Sequence, residues 1–301
     1  MKKLNLLIII FVITLQSVTI AQTDLLSQKI RQIISSKNAT VGYAVYGIES
    51  KDTLSLNGNL HLPMQSVFKF HIALTVLNMV DNRKLALEQK FLIKKKDLNV
   101  NTWSPLQKKY PKGNIELSLS ELLAYMVSMS DNNACDILLR LIGGPMTVEQ
   151  YIHSVGNKDI CIRVNEAGMH KSWKAQFKNR TTPNAVVDLL NKFYTGKILS
   201  KISLEFLLKI MTETSTGPNR IKGQLPVGTE VAHKTGSSGK NDNGVTAALN
   251  DIGIITLPNG KHIAICVFVS NSKHEDEVLE KIISDISKAS WDYFIGKYEK
   301  K

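Results

Sequence analysis

The chain has three cysteines in 301 residues, Cys135, Cys161 and Cys266. An odd number cannot all pair internally. A chain of this length also builds its core without staples, so a disulfide scaffold is excluded. Cys266 sits in the apolar run Ile263 to Val269, which reads as a buried strand and makes it an inert core thiol. Cys135 and Cys161 could still pair. No cysteine has metal-ligand spacing to another cysteine or to a histidine, and the seven histidines form no His-Glu-x-x-His. No metal or organic cofactor is implied. There is no glycine-rich phosphate loop and no Gly-x-Ser-x-Gly elbow. Internal repeats and low-complexity segments are absent, and after the N-terminus no apolar run approaches membrane-spanning length.

What is present begins with a leader. Lys2 and Lys3 precede an almost unbroken apolar run from Leu4 to Thr14, and Val18-Thr19-Ile20-Ala21 ends in a small residue. This predicts a secretory signal peptide over residues 1–21, cleaved after Ala21, and an address in the periplasm of a Gram-negative cell. Without a cysteine near the cleavage point, no lipid anchor and no stable membrane association are expected. The remaining chain of about 280 residues can bury a large core. The formal charge of +12 lies largely in helical stretches and short runs such as Lys94-Lys95-Lys96. No aromatic-interleaved basic motif accompanies it, so a solvated basic face is expected and not a nucleic-acid partner. A monomer is the default.

Residues 24–36 show helical spacing, and 41–48 with 53–56 read as two strands around a polar tip. Helical patterns then dominate, at 66–80, 118–128, 132–142, 145–155, 183–194 and 203–213. Strands return at 229–235, 245–256 and 262–270, before a last helix at 275–294. Strands therefore flank a helical insertion. The prediction is an α+β fold of the three-layer sandwich type. An antiparallel sheet from residues 22–60 and 214–301 is flanked by terminal helices, with an all-helical domain over 61–213. Ligand sites favour such seams.

Three stretches could carry chemistry. In Gln65-Ser66-Val67-Phe68-Lys69, one helical turn puts a hydroxyl and an amine on one face at a positive helix end, as an activated nucleophile requires. The same residues also read as an N-cap serine and a solvated lysine. In Ser128 to Asn133, Ser130 could pass a proton, Asn132 could bond a substrate amide and Asp131 could lock the turn, or all could be ordinary capping residues. In His233-Lys234-Thr235-Gly236-Ser237, Lys234 offers a cation, Thr235 and Ser237 can bond an anion, and Gly236 allows close approach of a ligand to the strand. A backbone N–H near Ser237, with that of Ser66, could form an oxyanion hole.

Each motif alone is weak; their order and spacing are not. Ser66-x-x-Lys69, Ser130-Asp131-Asn132 and Lys234-Thr235-Gly236, in that order, resemble the serine β-lactamases of class A, over essentially the whole mature chain. Gln65, the loop Glu166-Ala167-Gly168-Met169-His170 and Asn101 to Pro105 look like the PER- and VEB-type extended-spectrum branch. The resemblance implies a β-lactamase/transpeptidase-like fold and hydrolysis of penicillins, cephalosporins and oxyimino-cephalosporins. It implies Ser66, Lys69, Ser130 and Glu166 as catalytic residues. Asn132, Lys234, Thr235, Ser237 and Arg220 would bind substrate, and Trp103 would wall the entrance. The family's usual asparagine four residues after the glutamate is replaced here by His170, which would hold the water instead. A D,D-carboxypeptidase or transpeptidase, or a non-hydrolytic β-lactam sensor, are the alternatives, and Glu166 argues against them.

Overall fold

The computed structural model of the chain describes residues 25–299. The expected leader lies outside these residues. Helix α1 (25–34) leads into β1 (Thr40–Gly47) and β2 (Thr53–Leu56), a hairpin closed by a bond from the Gly47 N–H to the Asp52 carbonyl. The two-residue β3 (Leu62–Pro63) is followed by a 3-10 turn, Gln65–Val67, and by α2 (Phe68–Asp81). Then come β4 (Lys90–Ile93), α3 (Pro105–Lys109), β5 (Ile115–Ser118), α4 (Leu119–Ser128), α5 (Asn132–Leu141) and α6 (Pro145–Ser154). A loop region carries β6 (Ile160–Cys161), α7 (Glu166–Met169) and β7 (Arg180–Thr181), before α8 (Pro183–Tyr194) and α9 (Lys201–Thr212). Three strands, β8 (Val231–Ser237), β9 (Thr246–Thr256) and β10 (His262–Ser272), precede α10 (Asp276–Glu299).

The main sheet has the order β2-β1-β10-β9-β8, with every neighbouring pair antiparallel. Its strands come from residues 40–56 and 231–272, and α2 to α9 lie between them in sequence. The strand period of two sorts the side chains into two cores. Val41, Tyr43 and Val45 point toward α1 and α10, where they meet Ile30, Ile283 and Phe294. Ala44, Ile252, Cys266 and Phe268 point toward the helices. Helix α8 lies on that second face, where Gly42 leaves room for it: a Cβ there would sit 2.4 Å from Leu62 Cδ1 and 2.9 Å from Pro183 Cγ.

At the centre of the helical layer is α2, buried at every residue from Phe68 to Leu77. A helix buried all round belongs inside a core, and here it carries Lys69, His71 and Thr75 in with it. Each buried side chain such as Phe70 or Leu74 contributes about 1.5–3 kcal/mol. The starts of the other helices follow from their caps. Ser118 and Glu121 form a capping box on α4, and Pro145 opens α6 after Gly143 and Gly144, both at positive φ.

Three expectations need correction. The inserted span is not all helical: β4 pairs with β5, and β3, β7 and β6 form a three-stranded sheet. Strands of two to four residues are too short to display a period. Ser66 also lies in a 3-10 turn ahead of α2 and caps nothing, because neither that turn nor α2 has a side-chain cap. All three cysteines are free thiols, so Cys135 and Cys161 do not pair.

Candidate active site

Two residues at positive φ shape the site. Gln65, at φ 47°, reverses the chain just before Ser66 and is tied down by a bond from its amide nitrogen to Gln176 Oε1 (3.2 Å). Ser130, at φ 55°, sits in the short connection between α4 and α5. Non-glycine residues hold this conformation only where their surroundings impose it. At Ser130 the surroundings are Asp131, which caps α5. Its carboxylate accepts from the N–H of Ala134 (2.9 Å) and of Leu106 (2.7 Å) and from Ser104 Oγ. The turn-locking role read from the sequence is therefore the geometry found. Burial nevertheless holds the Asp131 carboxyl above its ordinary range.

Ser66 is half-buried, and its Oγ lies 3.1 Å from Lys69 Nζ and 3.3 Å from Glu166 Oε1. Lys69 is fully buried, which removes the reading of a solvated lysine. Its Nζ meets Asn132 Oδ1 at 2.6 Å, the Ser130 carbonyl at 2.8 Å and Glu166 Oε1 at 2.8 Å. An ammonium has three protons to donate, and these three acceptors take them all. Ser66 is left to donate its own proton toward Glu166.

On the other side of Ser130, Lys234 Nζ donates to Ser130 Oγ (2.9 Å) and to the Thr235 carbonyl (3.0 Å). Lys234 is fully buried, and burial first, then the neighbouring Lys69 charge, hold its amine well below its usual value. Ser130 thus stands between two lysines.

Gly236 does bring a close approach, but of the chain itself. A Cβ there would lie 2.5 Å from the Met64 carbonyl and 3.2 Å from the Ser66 N. The glycine lets β8 pack onto the nucleophile's turn. Asn250, directly opposite it on β9, reinforces the joint by donating from Nδ2 to the carbonyls of Pro63 (2.8 Å) and Met64 (3.1 Å).

Glu166 opens α7 behind an Asn165 cap and is 4 % exposed. The α7 turn is anchored by Asp136 of α5. That carboxylate accepts from Asn165 Nδ2 (2.8 Å), the Glu166 N–H (2.8 Å) and the Ala167 N–H (3.1 Å). Burial pushes the Asp136 carboxyl up to about 6 despite those bonds. His170 Nε2 lies 3.9 Å from Glu166 Oε2 on an exposed side chain, beyond a direct bond. A cavity of about 870 Å³ opens beside Asn132, Thr102, Glu166 and His170.

Arg220, implied as a substrate binder, is engaged by the chain itself. Its Nε pairs with Glu280 Oε1 (3.1 Å), Nη1 donates to the carbonyls of Gly236 and Asn250, and Nη2 donates to Ser237 Oγ (2.7 Å). Of five guanidinium protons, these bonds use four. A free fork for a carboxylate is therefore not available, and the group presents the Ser237 hydroxyl instead. Thr235 Oγ1 is bonded to Thr216 Oγ1 at 2.6 Å. Trp103 is half exposed, its Nε1 donating to the Met129 carbonyl (2.9 Å) and Lys108 lying over its ring. Its backbone carbonyl accepts from the Asn132 N–H (3.0 Å), so the Trp103 loop holds Asn132 while the indole stays at the rim.

The structure thus gathers Ser66, Lys69, Ser130, Asn132, Glu166 and Lys234 around one point. Asp136, Asn250 and Glu280 go unread in the sequence. Of these only Asp136 has a local signal, four residues after Asn132 and so on the same face of α5.

Residues 25–294 match the family model described as the β-lactamase enzyme family. The chain is 50% identical over 279 residues to β-lactamase VEB-1 of Pseudomonas aeruginosa, covering 92% of this chain and 93% of that one. It is 42% identical over 279 residues to the extended-spectrum β-lactamase PER-1 of Pseudomonas aeruginosa, covering 93% and 90%. Among solved structures, that of the TLA-3 extended-spectrum β-lactamase superposes with a TM-score of 0.90 at 54% identity, covering 91% of this chain and 99% of that one. The resemblance read from three short motifs holds across the fold, and the chain belongs to the β-lactamase enzyme family, as a class A serine member.

Proposed function

We propose that the chain hydrolyses the β-lactam ring of penicillins and cephalosporins, oxyimino-cephalosporins included, through a Ser66 acyl-enzyme, and so confers antibiotic resistance. One observation carries this reading: Ser66 Oγ lies between Lys69 Nζ and Glu166 Oε1, at 3.1 and 3.3 Å. A nucleophile with a carboxylate in reach has both an activating group and a base for the second step. A D,D-carboxypeptidase or a sensor has no use for a buried carboxylate at that place.

Ser66 Oγ attacks the lactam carbonyl carbon. Its proton passes to Lys69 acting as a free amine, or to Glu166 through a water. The backbone N–H groups of Ser66 and Ser237 hold the oxyanion. The C–N bond breaks, and Ser130, between Lys69 and Lys234, gives its proton to the departing nitrogen. Asn132 bonds the substrate's side-chain amide. Lys234, Thr235 and Ser237, the last oriented by Arg220, bind its carboxylate. Water then attacks the acyl carbon, Glu166 takes the water's proton with His170 holding the water, and Ser66 leaves with a proton. Trp103 borders the entrance.

The leader Lys2 to Ala21 supports export to the periplasm with cleavage after Ala21. We take the protein as a monomer of two lobes, residues 22–60 with 214–301 and residues 61–213. The deciding experiment is hydrolysis of a chromogenic cephalosporin by the purified protein beside Ser66→Ala, without added metal. Multiple turnovers lost in the variant are expected. A single burst that stops would overturn hydrolysis in favour of a penicillin-binding protein.

A further inference from the structure

Behind the Lys234 strand is a buried histidine–carboxylate pair that the reaction above does not use. His233 Nδ1 lies 3.0 Å from Asp251 Oδ2 and 3.1 Å from Oδ1, and neither side chain has any exposure. His233 is on β8 and faces away from Ser130, because its neighbour Lys234 faces toward it. Room for its ring is made by Gly253, its partner on β9: a Cβ there would lie 2.8 Å from His233 Cβ and 2.7 Å from the Ala232 carbonyl. The other ring nitrogen, Nε2, is enclosed with no partner. Among the described residues the ring's polar attachment is to Asp251 alone.

Asp251 has a second attachment. Its Oδ2 accepts from the backbone N–H of Ile221 (3.2 Å), the residue after Arg220. The Ile221 carbonyl in turn accepts from Ser287 Oγ of α10 (2.9 Å). One carboxylate thus touches the neighbours of Lys234, which binds the substrate carboxylate, and of Arg220, which orients Ser237. The charges around it are few. His233 faces it on β8, and Lys222 and the Cys266 thiol both feel it. Lys234, on the other face of the strand, feels the charges of Lys69, Asp251, Glu166 and Arg220. Burial and Lys69 drive Lys234 toward its neutral form, and Asp251 ahead of Glu166 opposes them.

We infer that Asp251, with His233 as its donor, is a positioning residue for this reaction. It fastens the strand of Lys234 to the turn of Arg220, and its negative charge supports Lys234 as a cation. The inference rests on the hydrolase reading. Its test is kcat and KM of purified wild type, Asp251→Asn, His233→Leu and His233→Asn with one cephalosporin, from about pH 6 to 10, beside Tm. Asp251→Asn is isosteric, removes the charge and replaces one acceptor by an NH2 donor. It is expected to lower kcat/KM about tenfold, mostly through KM, because Lys234 binds the substrate's carboxylate and Arg220 orients the Ser237 that binds it. Its alkaline limb should move toward neutrality by about half a pH unit or more. His233→Asn keeps an N–H for the carboxylate and should recover what His233→Leu loses. An Asp251→Asn variant with a lower Tm but wild-type kinetics and limb would overturn the inference. If Asp251→Asn does not fold, equal kinetics of the two His233 variants would overturn it, and recovery in His233→Asn would support it. Absence of turnover in the wild type would instead sink the hydrolase reading.

Discussion

Lys69 Nζ lies 2.8 Å from Glu166 Oε1, and both groups are buried. Removing one partner leaves a buried charge without its complement, which is the costly way to break such a pair. It also separates the two halves of the proposed reaction, because acylation can run through Lys69 while deacylation needs the carboxylate.

Glu166→Ala is expected to acylate and then stall. Intact-mass spectrometry after mixing with a penicillin should show a covalent adduct, with turnover down by about 10²–10⁴. Turnover intact without an adduct would remove Glu166 from the mechanism.

Asp136 holds the α7 turn through three accepted bonds. Asp136→Ala leaves those donors unpaired, at roughly 1–3 kcal/mol for each that stays buried. Deacylation should slow more than acylation, which stopped-flow separates. The carboxyl sits at about 6, so in the wild type it gains a proton below that pH and loses acceptor capacity. An acid limb in kcat near pH 6 is expected, changed in Asp136→Asn; an identical limb in the variant would assign it elsewhere.

His71 is fully buried on α2 with Nδ1 unpartnered, and burial lowers its imidazole to about 4. The unfolded chain takes up this proton near pH 6.5 and the folded chain only near 4. Stability from this group is therefore complete above about 6.5 and falls as pH drops, by roughly 3 kcal/mol at pH 4. His71→Leu should flatten Tm between pH 7 and 4. Parallel curves for the two proteins would contradict the assignment.

Gly236→Ala would drive a Cβ to 2.5 Å from the Met64 carbonyl, backbone against backbone. The turn holding Ser66 must shift, and a displacement of about 1 Å can cost on the order of 10²-fold in rate. Loss of kcat with little change in far-UV circular dichroism is expected. Wild-type kcat would show that β8 does not set the nucleophile's position.

Much of this site is legible before folding because its groups are close in sequence. Ser66 and Lys69 are one turn apart, and Ser130, Asp131 and Asn132 are consecutive. The sheet is legible too, because β9 and β10 are long enough to show as apolar runs between turns. What is not legible depends on register across the fold. Asn250 reaches Pro63 and Met64 only because β9 places it opposite Gly236. Arg220 reads as an open fork until Glu280 arrives from α10. Asp251 and His233 look like any strand polar residues until the two strands are aligned.

The order of strands has a consequence for how the chain acquires its shape. β1 pairs with β10, Thr40 opposite Ser270, so the middle of the sheet joins the two ends of the described chain. Contacts of such separation close late, after the loop entropy of everything between them has been met. During synthesis, α2 to α9 emerge and can collapse while Val41, Tyr43 and Val45 still await their partner. A chain that stops before β10 leaves those residues with no sheet to join, and β1 remains a sticky edge. Shortened products should therefore aggregate instead of forming a weaker enzyme.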